Sequence, residues 1–379
     1  MNSFISAAEI LRELVAIPTP SPVSNLPLLH WVKRFMETRG WRVELLPYDD
    51  ESAVAKANLI AWPGPADRGE HIDLAFVCHT DTVPYAENWV GALVLEDREG
   101  ELHGCGSCDV KGALACFLAA VSDLEITGIE SNIALILTAD EEIGCKGMER
   151  LLATTSLRIG SAIVSEPTSL RAGIAGKGYG LARITVEGRE AHSAFPQQGV
   201  SAISVAARMI ARIEDSFAVR VLDAPSDALF DPPRTTLNIG TIEGGSAKNI
   251  IPGRCSFLVE WRAIPGETPV EMLRQLRGVL VEAHAAEPRA VLRLESLRAE
   301  PGFSPAATGR LQLRLGDLLP GEPVGISFGS EASRVARIAD EVIVIGPGDM
   351  RSAHSDRECV PIAELELWTG ALRKLFETH

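Results

Sequence analysis

The segment Ile133-Ala-Leu-Ile-Leu-Thr138 is apolar at every position but the last. A strand with one wet face alternates, so an unbroken apolar run of this length belongs in a sheet covered on both faces. Ile72-Asp-Leu-Ala-Phe-Val-Cys78 and Ser161-Ala-Ile-Val-Ser165 have nearly the same texture, and helix-patterned stretches separate the three. Residues 5–17 put Ile10, Leu11, Leu14 and Val15 on one helical face, with Ser6 as cap and Pro18, Pro20 and Pro22 as terminators. Further helices are expected at 26–39, 112–124, 148–154 and 361–377, and strands at 41–46, 58–62 and 342–345. This alternation predicts an α/β fold, a mostly parallel sheet flanked by helices.

The texture changes at the glycines 173, 176, 178 and 180. Leu181-Ala-Arg-Ile-Thr-Val-Glu187 alternates with period two, as a half-exposed antiparallel strand does. A helix at 199–213, strands at 235–242 and 254–262, and a helix at 268–284 complete a small α+β unit. The predicted organisation is therefore a metal-binding domain formed by 1–172 and 290–379, with residues 173–289 inserted into it.

A chain of 379 residues has length for about two domains. The formal charge of −15 argues against a nucleic-acid partner or an anionic membrane surface. No run approaches the ~20 apolar residues of a membrane helix, and Met1-Asn-Ser-Phe-Ile-Ser6 does not resemble a secretory leader. The seven cysteines are odd in number and irregularly spaced, unlike a secreted disulfide framework, so a cytoplasmic protein is expected. Cys105-Gly-Ser-Cys108 has no second C-x-x-C to make a zinc ribbon, and its surroundings do not suggest a redox pair. It reads as two small residues in a glycine turn leading to Asp109.

Five metal-type side chains, His79, Asp109, Glu142, Glu166 and His354, lie at or just beyond apolar runs or in glycine turns. Two imidazoles and three carboxylates suffice for two divalent ions with positions left for water. His79 and Asp81, two apart on a strand, face together, so Asp81 is expected to orient the imidazole. Of the adjacent Glu141 and Glu142, one can be neutralised by metal while the other takes a proton from water. Asp109, among glycines 104, 106 and 112, could offer both oxygens and bridge two ions. Such a site should gather at the carboxyl edge of the sheet.

The order His79-x-Asp81, Gly106-x-x-Asp109-x-Lys111-Gly112, Asp140-Glu141-Glu142-x-Gly144, Glu166-Pro167 and His354 resembles the co-catalytic zinc amidohydrolases over essentially the whole chain. That family includes acetylornithine deacetylase, succinyl-diaminopimelate desuccinylase and aminoacylase. The resemblance implies two zinc ions, with cobalt or manganese as alternatives. His79 and Glu166 would serve one ion, Glu142 and His354 the other, with Asp109 as bridge and Glu141 as general base. It further implies a cis peptide at Asp109-Val110, and an insert that acts as lid and homodimer interface. Ala191-His192-Ser193 matches a motif whose imidazole reaches the substrate carbonyl; Asn249 and Arg262 match segments that touch substrate. Phe328-Gly-Ser-Glu-Ala332 would let Glu331 meet a cationic side chain. The expected reaction is hydrolysis of an N-acyl amino acid, N2-acetyl-L-ornithine first among them. Succinyl-diaminopimelate, another acyl amino acid such as acetylcitrulline, or a dipeptide is the alternative substrate, and an inactive binding protein the alternative of another class.

Overall fold

The apolar runs line up side by side. In the computed structural model, which describes residues 5–64, 69–122 and 132–377, the strands Ile133–Thr138, His71–His79, Arg158–Val164 and Ala339–Val344 are consecutive parallel neighbours. Each neighbour in this row covers backbone polar groups, and helices cover the faces, so Ile133–Thr138 is buried at all six positions. Ala55–Pro63 and Trp41–Asp49 extend the sheet antiparallel on one side.

The helix Lys111–Ser122 explains its own composition. It packs between the helices Ala7–Val15 and Ile362–Glu377, and eleven of its residues, Lys111 to Val121, are buried. A helix covered on every side has no need of a polar stripe. Leu124, the expected end of this helix, lies outside the described residues. Ser6 caps Ala7–Val15, and Glu9 reaches back to the Ser6 N–H in a capping box.

The chain divides into two compact units: Met1–Ile174 with Pro305–Val324 and Ser330–His379, and Ala175–Ser304 with Gly325–Gly329. The second unit is a four-stranded antiparallel sheet in the order Thr236–Gly244, Arg254–Arg262, Tyr179–Glu187, Val291–Glu300. The helices Ala202–Asp223 and Pro269–Ala286 bury Val205, Met209, Ile213, Leu273 and Leu276 against Ala182, Ile184, Phe257, Val259 and Trp261. Gly180 sits where a Cβ would lie 1.8 Å from the Trp261 ring, so only glycine lets these two strands pair there.

Three details differ from the sequence reading. The boundary expected at 289 moves to Ser304, because Val291–Glu300 pairs with Tyr179–Glu187 along its length. That strand is largely exposed and carries arginine and glutamate on both sides of its leucines, which hid it. The helix expected at 199–213 begins later, after the Ser201 cap, and continues to Asp223. A small sheet of Glu96–Arg98, Glu101–His103 and Cys359–Pro361, and a helix Arg310–Leu318, were not anticipated.

Candidate metal centre

Because four parallel strands end on the same side, the residues that follow them converge. His79 is the last residue of its strand; Glu141 and Glu142 follow Thr138; Glu166 follows Val164; His354 lies beyond Val344. Asp109 enters from the turn before Lys111–Ser122, where the Asp109–Val110 peptide is cis. A Cβ on Gly112 would come within 2.4 Å of the Ser107 carbonyl, so that turn can close only over glycine.

Asp109 stands between the two imidazoles. Its Oδ1 is 3.1 Å from His79 Nε2, and its Oδ2 is 3.1 Å from His354 Nε2. Glu142 Oε1 lies 3.1 Å from the same His354 nitrogen. Donor atoms of His79, Asp109 and Glu166 fall within 4.8 Å of one another, as do those of Asp109, Glu142 and His354. The two triads share one carboxylate, and each holds one nitrogen and two carboxylate groups, a donor set suited to a borderline divalent ion.

The electrostatics without a cation point the same way. Burial opposes charge on His79, but its contact with Asp109 and the nearby Glu141 and Glu166 raise it well above the usual histidine range. Donation to the carboxylates of Asp109 and Glu142 pushes His354 up to about 10 against partial burial. Burial, then repulsion from Asp109, raises Glu166 well above a normal carboxyl. Burial likewise pushes Glu141 up to about 8, with Glu142, Glu331 and Asp81 adding repulsion and His79 opposing it. Divalent ions held among these carboxylates would supply the positive charge that their burial and mutual repulsion favour.

Asp81 does something other than expected. Its carboxylate oxygen Oδ1 is 3.7 Å from His79 Nδ1, whereas its backbone carbonyl is 3.0 Å away and takes that N–H. The carboxylate instead accepts from Ser21 Oγ at 2.8 Å, from the Glu141 N–H at 3.0 Å and from the Glu142 N–H at 3.3 Å. It ties the end of the His79 strand to the loop bearing both glutamates.

Glu331 is also displaced from its expected place. It is 1 % exposed, accepts from Thr138 Oγ1 at 2.8 Å, and leaves Oε1 without a partner. Its carboxyl is buried under the Thr138 strand end, so it presents no surface to a substrate cation.

The remaining predicted residues belong to the second unit. His192 is exposed; its Nδ1 accepts from the Ala194 N–H at 3.1 Å, and the backbone beside it bridges to Ile250. Asn249 joins it through its carbonyl, which accepts from the Ser193 N–H at 3.0 Å. Arg262 donates to Glu260 at 2.8 Å and lies over the Tyr179 ring at 3.9 Å, while its buried Nη1 has no hydrogen-bond partner.

Two supports escaped the sequence reading. Glu358, 3 % exposed, accepts from the backbone N–H groups of Gly106, Cys108 and Asp109 at 3.0 Å each, and so fixes the turn that presents Asp109. Lys56 and Asp140 form a fully buried ion pair at 2.5 Å, and Tyr48 donates to Asp140 at 3.1 Å. Nothing in local spacing links these partners. Cys105 and Cys108 are buried free thiols, and burial raises both, Cys105 to about 11, which fits the reading as turn residues.

A family described as the peptidase dimerisation domain matches residues 174–287. The chain is 39% identical over 355 residues to the acetylornithine deacetylase of Myxococcus xanthus, covering 94% of this chain and 92% of that protein. Among solved structures, a tripeptidase from Staphylococcus aureus superposes with a TM-score of 0.76 at 20% identity, covering 100% of both chains. A dinuclear metal binding peptidase of the M20 family from Bacillus subtilis superposes with a TM-score of 0.71 at 14% identity, covering 98% of this chain and 97% of that one. Among the described residues no helix is long and apolar enough to cross a membrane.

Proposed function

Because the chain belongs to the M20 family of metallopeptidases and deacetylases, we propose that it hydrolyses N2-acetyl-L-ornithine to L-ornithine and acetate. The observation that carries the mechanism is the Asp109 carboxylate shared between two donor triads. His79 and Glu166 would hold one divalent ion, Glu142 and His354 the other, with Asp109 between them. Zinc is the ion we propose, and cobalt or manganese suits the same donors. Such ions polarise an amide carbonyl and acidify water.

The protein's own groups do the rest. Glu141 takes a proton from the attacking water and returns it to the amide nitrogen as the C–N bond breaks. A carboxyl raised by burial is matched to that two-way transfer near neutral pH. Asp81 positions Glu141 through its backbone N–H. His192 donates to the carbonyl oxygen as that oxygen gains charge, and Asn249 lies beside it on the same surface. The unpartnered Nη1 of Arg262 suits it to the substrate carboxylate.

The insert is the proposed homodimer interface. Its edge strand Thr236–Gly244 is largely exposed, with Ile242 52% accessible, and offers an unpaired ladder to a second copy. All seven cysteines are free, in keeping with a reducing cytoplasm.

The test is amine release from purified, metal-loaded protein offered acetylornithine, succinyl-diaminopimelate, acetylcitrulline and a dipeptide. The highest kcat/KM is expected on acetylornithine. A higher value on another member of the panel reassigns the substrate. Bound metal with no turnover on any of them makes the chain a binding protein.

A further inference from the structure

We propose that Glu101, His103 and Cys359 form a third cation site, separate from the Asp109 centre, that takes Zn2+ through a thiolate. The three lie on the small sheet in which Glu101–His103 pairs with Cys359–Pro361. Cys359 is directly opposite His103, and Glu101 is two residues from His103, so all three share one face. Leu102 and Val360, also opposite each other, turn to the other face and are buried at 2% and 0%. Side chains are thus aimed by the register of the strands rather than by mobile loops.

The donor atoms of this triad lie within 4.8 Å of one another. Cys359 Sγ is 3.5 Å from Glu101 Oε2. His103 Nε2 is 3.7 Å from the same oxygen, beyond hydrogen-bond reach, and its Nδ1 is buried without any partner. A ring nitrogen buried without a partner is costly unless something else engages the imidazole, and Nε2 is left to meet an ion. Arg98, the nearest cation on the neighbouring strand, is engaged by Glu96 at 2.6 Å. Among the described residues Glu101 has no lysine or arginine partner.

Sulfur, nitrogen and oxygen donors together select zinc over the harder ions that oxygen-only sites prefer. A thiolate and a carboxylate also neutralise a divalent charge. Burial, with help from Glu101, pushes the Cys359 thiol up to about 11. Binding therefore releases the thiol proton to solvent as the S–Zn bond forms, and affinity rises with pH. The location gives the ion a purpose. His103 runs through Gly104 into the turn that presents Asp109, and Cys359 follows Glu358, which holds that turn. An ion here clamps the two segments whose meeting builds the Asp109 centre.

The test is a Co2+ titration of metal-free protein, following thiolate-to-cobalt charge-transfer absorption and ions bound per chain. The Asp109 centre has only nitrogen and oxygen donors, so the sulfur band reports this site alone, whatever becomes of the proposed deacetylase activity. Three ions per chain are expected, one of them bringing the band. Cys359→Ser should lose the band and one ion while keeping the other two, which also shows that the variant is folded. His103→Ala should shift the band midpoint to higher Co2+, and Glu142→Gln should leave the band intact. The proposal is overturned if no sulfur band appears, if the band persists in Cys359→Ser, or if half-saturation requires millimolar Co2+.

Discussion

Asp81 Oδ1 lies 3.0 Å from the backbone nitrogen of Glu141, so one carboxylate couples the end of the His79 strand to the loop that carries the proposed base. The same carboxylate receives Ser21 Oγ and the Glu142 N–H. His79 itself is held by the Asp81 backbone carbonyl, which no side-chain substitution removes.

Asp81→Asn should therefore separate activity from metal content. The new amide group would present a donor to N–H and O–H groups that already donate, loosening the 141–142 loop. Activity is expected to fall about 10–100-fold, with metal per chain nearly unchanged. Steady-state kinetics and elemental analysis check this; parallel loss of both would return Asp81 to the histidine-orienting role.

Glu141→Gln keeps the shape of the side chain and removes its proton-accepting charge. A loss of about 10²–10⁴ in kcat is expected, with KM and bound metal close to the parent values. A variant that turns over at the parent rate would move the base elsewhere.

The buried Glu331 gives the metal-free protein a pH signature. Burial, then Asp81, raises its carboxyl from 4.5 to about 7 against opposition from His79, Thr138 and Arg334. The folded state then holds a proton that the unfolded state releases earlier. Stability from this group is full below about pH 4.5 and is lost as pH rises through about 7. The shift corresponds to roughly 3 kcal/mol. Urea unfolding of chelated protein between pH 4 and 8 should show the decline, and Glu331→Gln should make it shallower by this one group's share, leaving the part owed to Glu141 and Glu166.

Lys56→Met leaves Asp140 charged in a site where the pair is 0% and 1% exposed. Breaking such a pair typically costs about 3–5 kcal/mol. Adding Asp140→Asn should recover part of that loss, because no uncompensated charge remains. Denaturant midpoints of the two variants decide the matter; equal midpoints would mean that the charge was never the issue.

The parallel core was legible because its strands are buried on both faces and so lack alternation, as in Ile133–Thr138. The neighbourhood of His79, Glu142, Glu166 and His354 was legible for a related reason: the chain leaves such a sheet at the carboxyl ends of its strands, where polar residues after apolar runs must collect. What stayed hidden is pairing between distant segments. Glu358 gives no local sign that it receives the N–H of Asp109, nor Lys56 that it meets Asp140. Val291–Glu300 was missed because its inner face, Leu292 and Leu294, is only partly buried and its alternation is broken by the bulge between Ser296 and Arg298. Glu331 was placed by the resemblance of Phe328-Gly-Ser-Glu-Ala332 alone, and a matching motif does not say which way its carboxylate points.

The second donor triad depends on His354, whose loop follows the last of the parallel strands, Ala339–Val344. During synthesis, Asp109 emerges long before that imidazole exists. A ribosome must deliver the whole insert and the closing strand before a two-ion centre can form, and until then the nascent protein offers a place for a single ion at most.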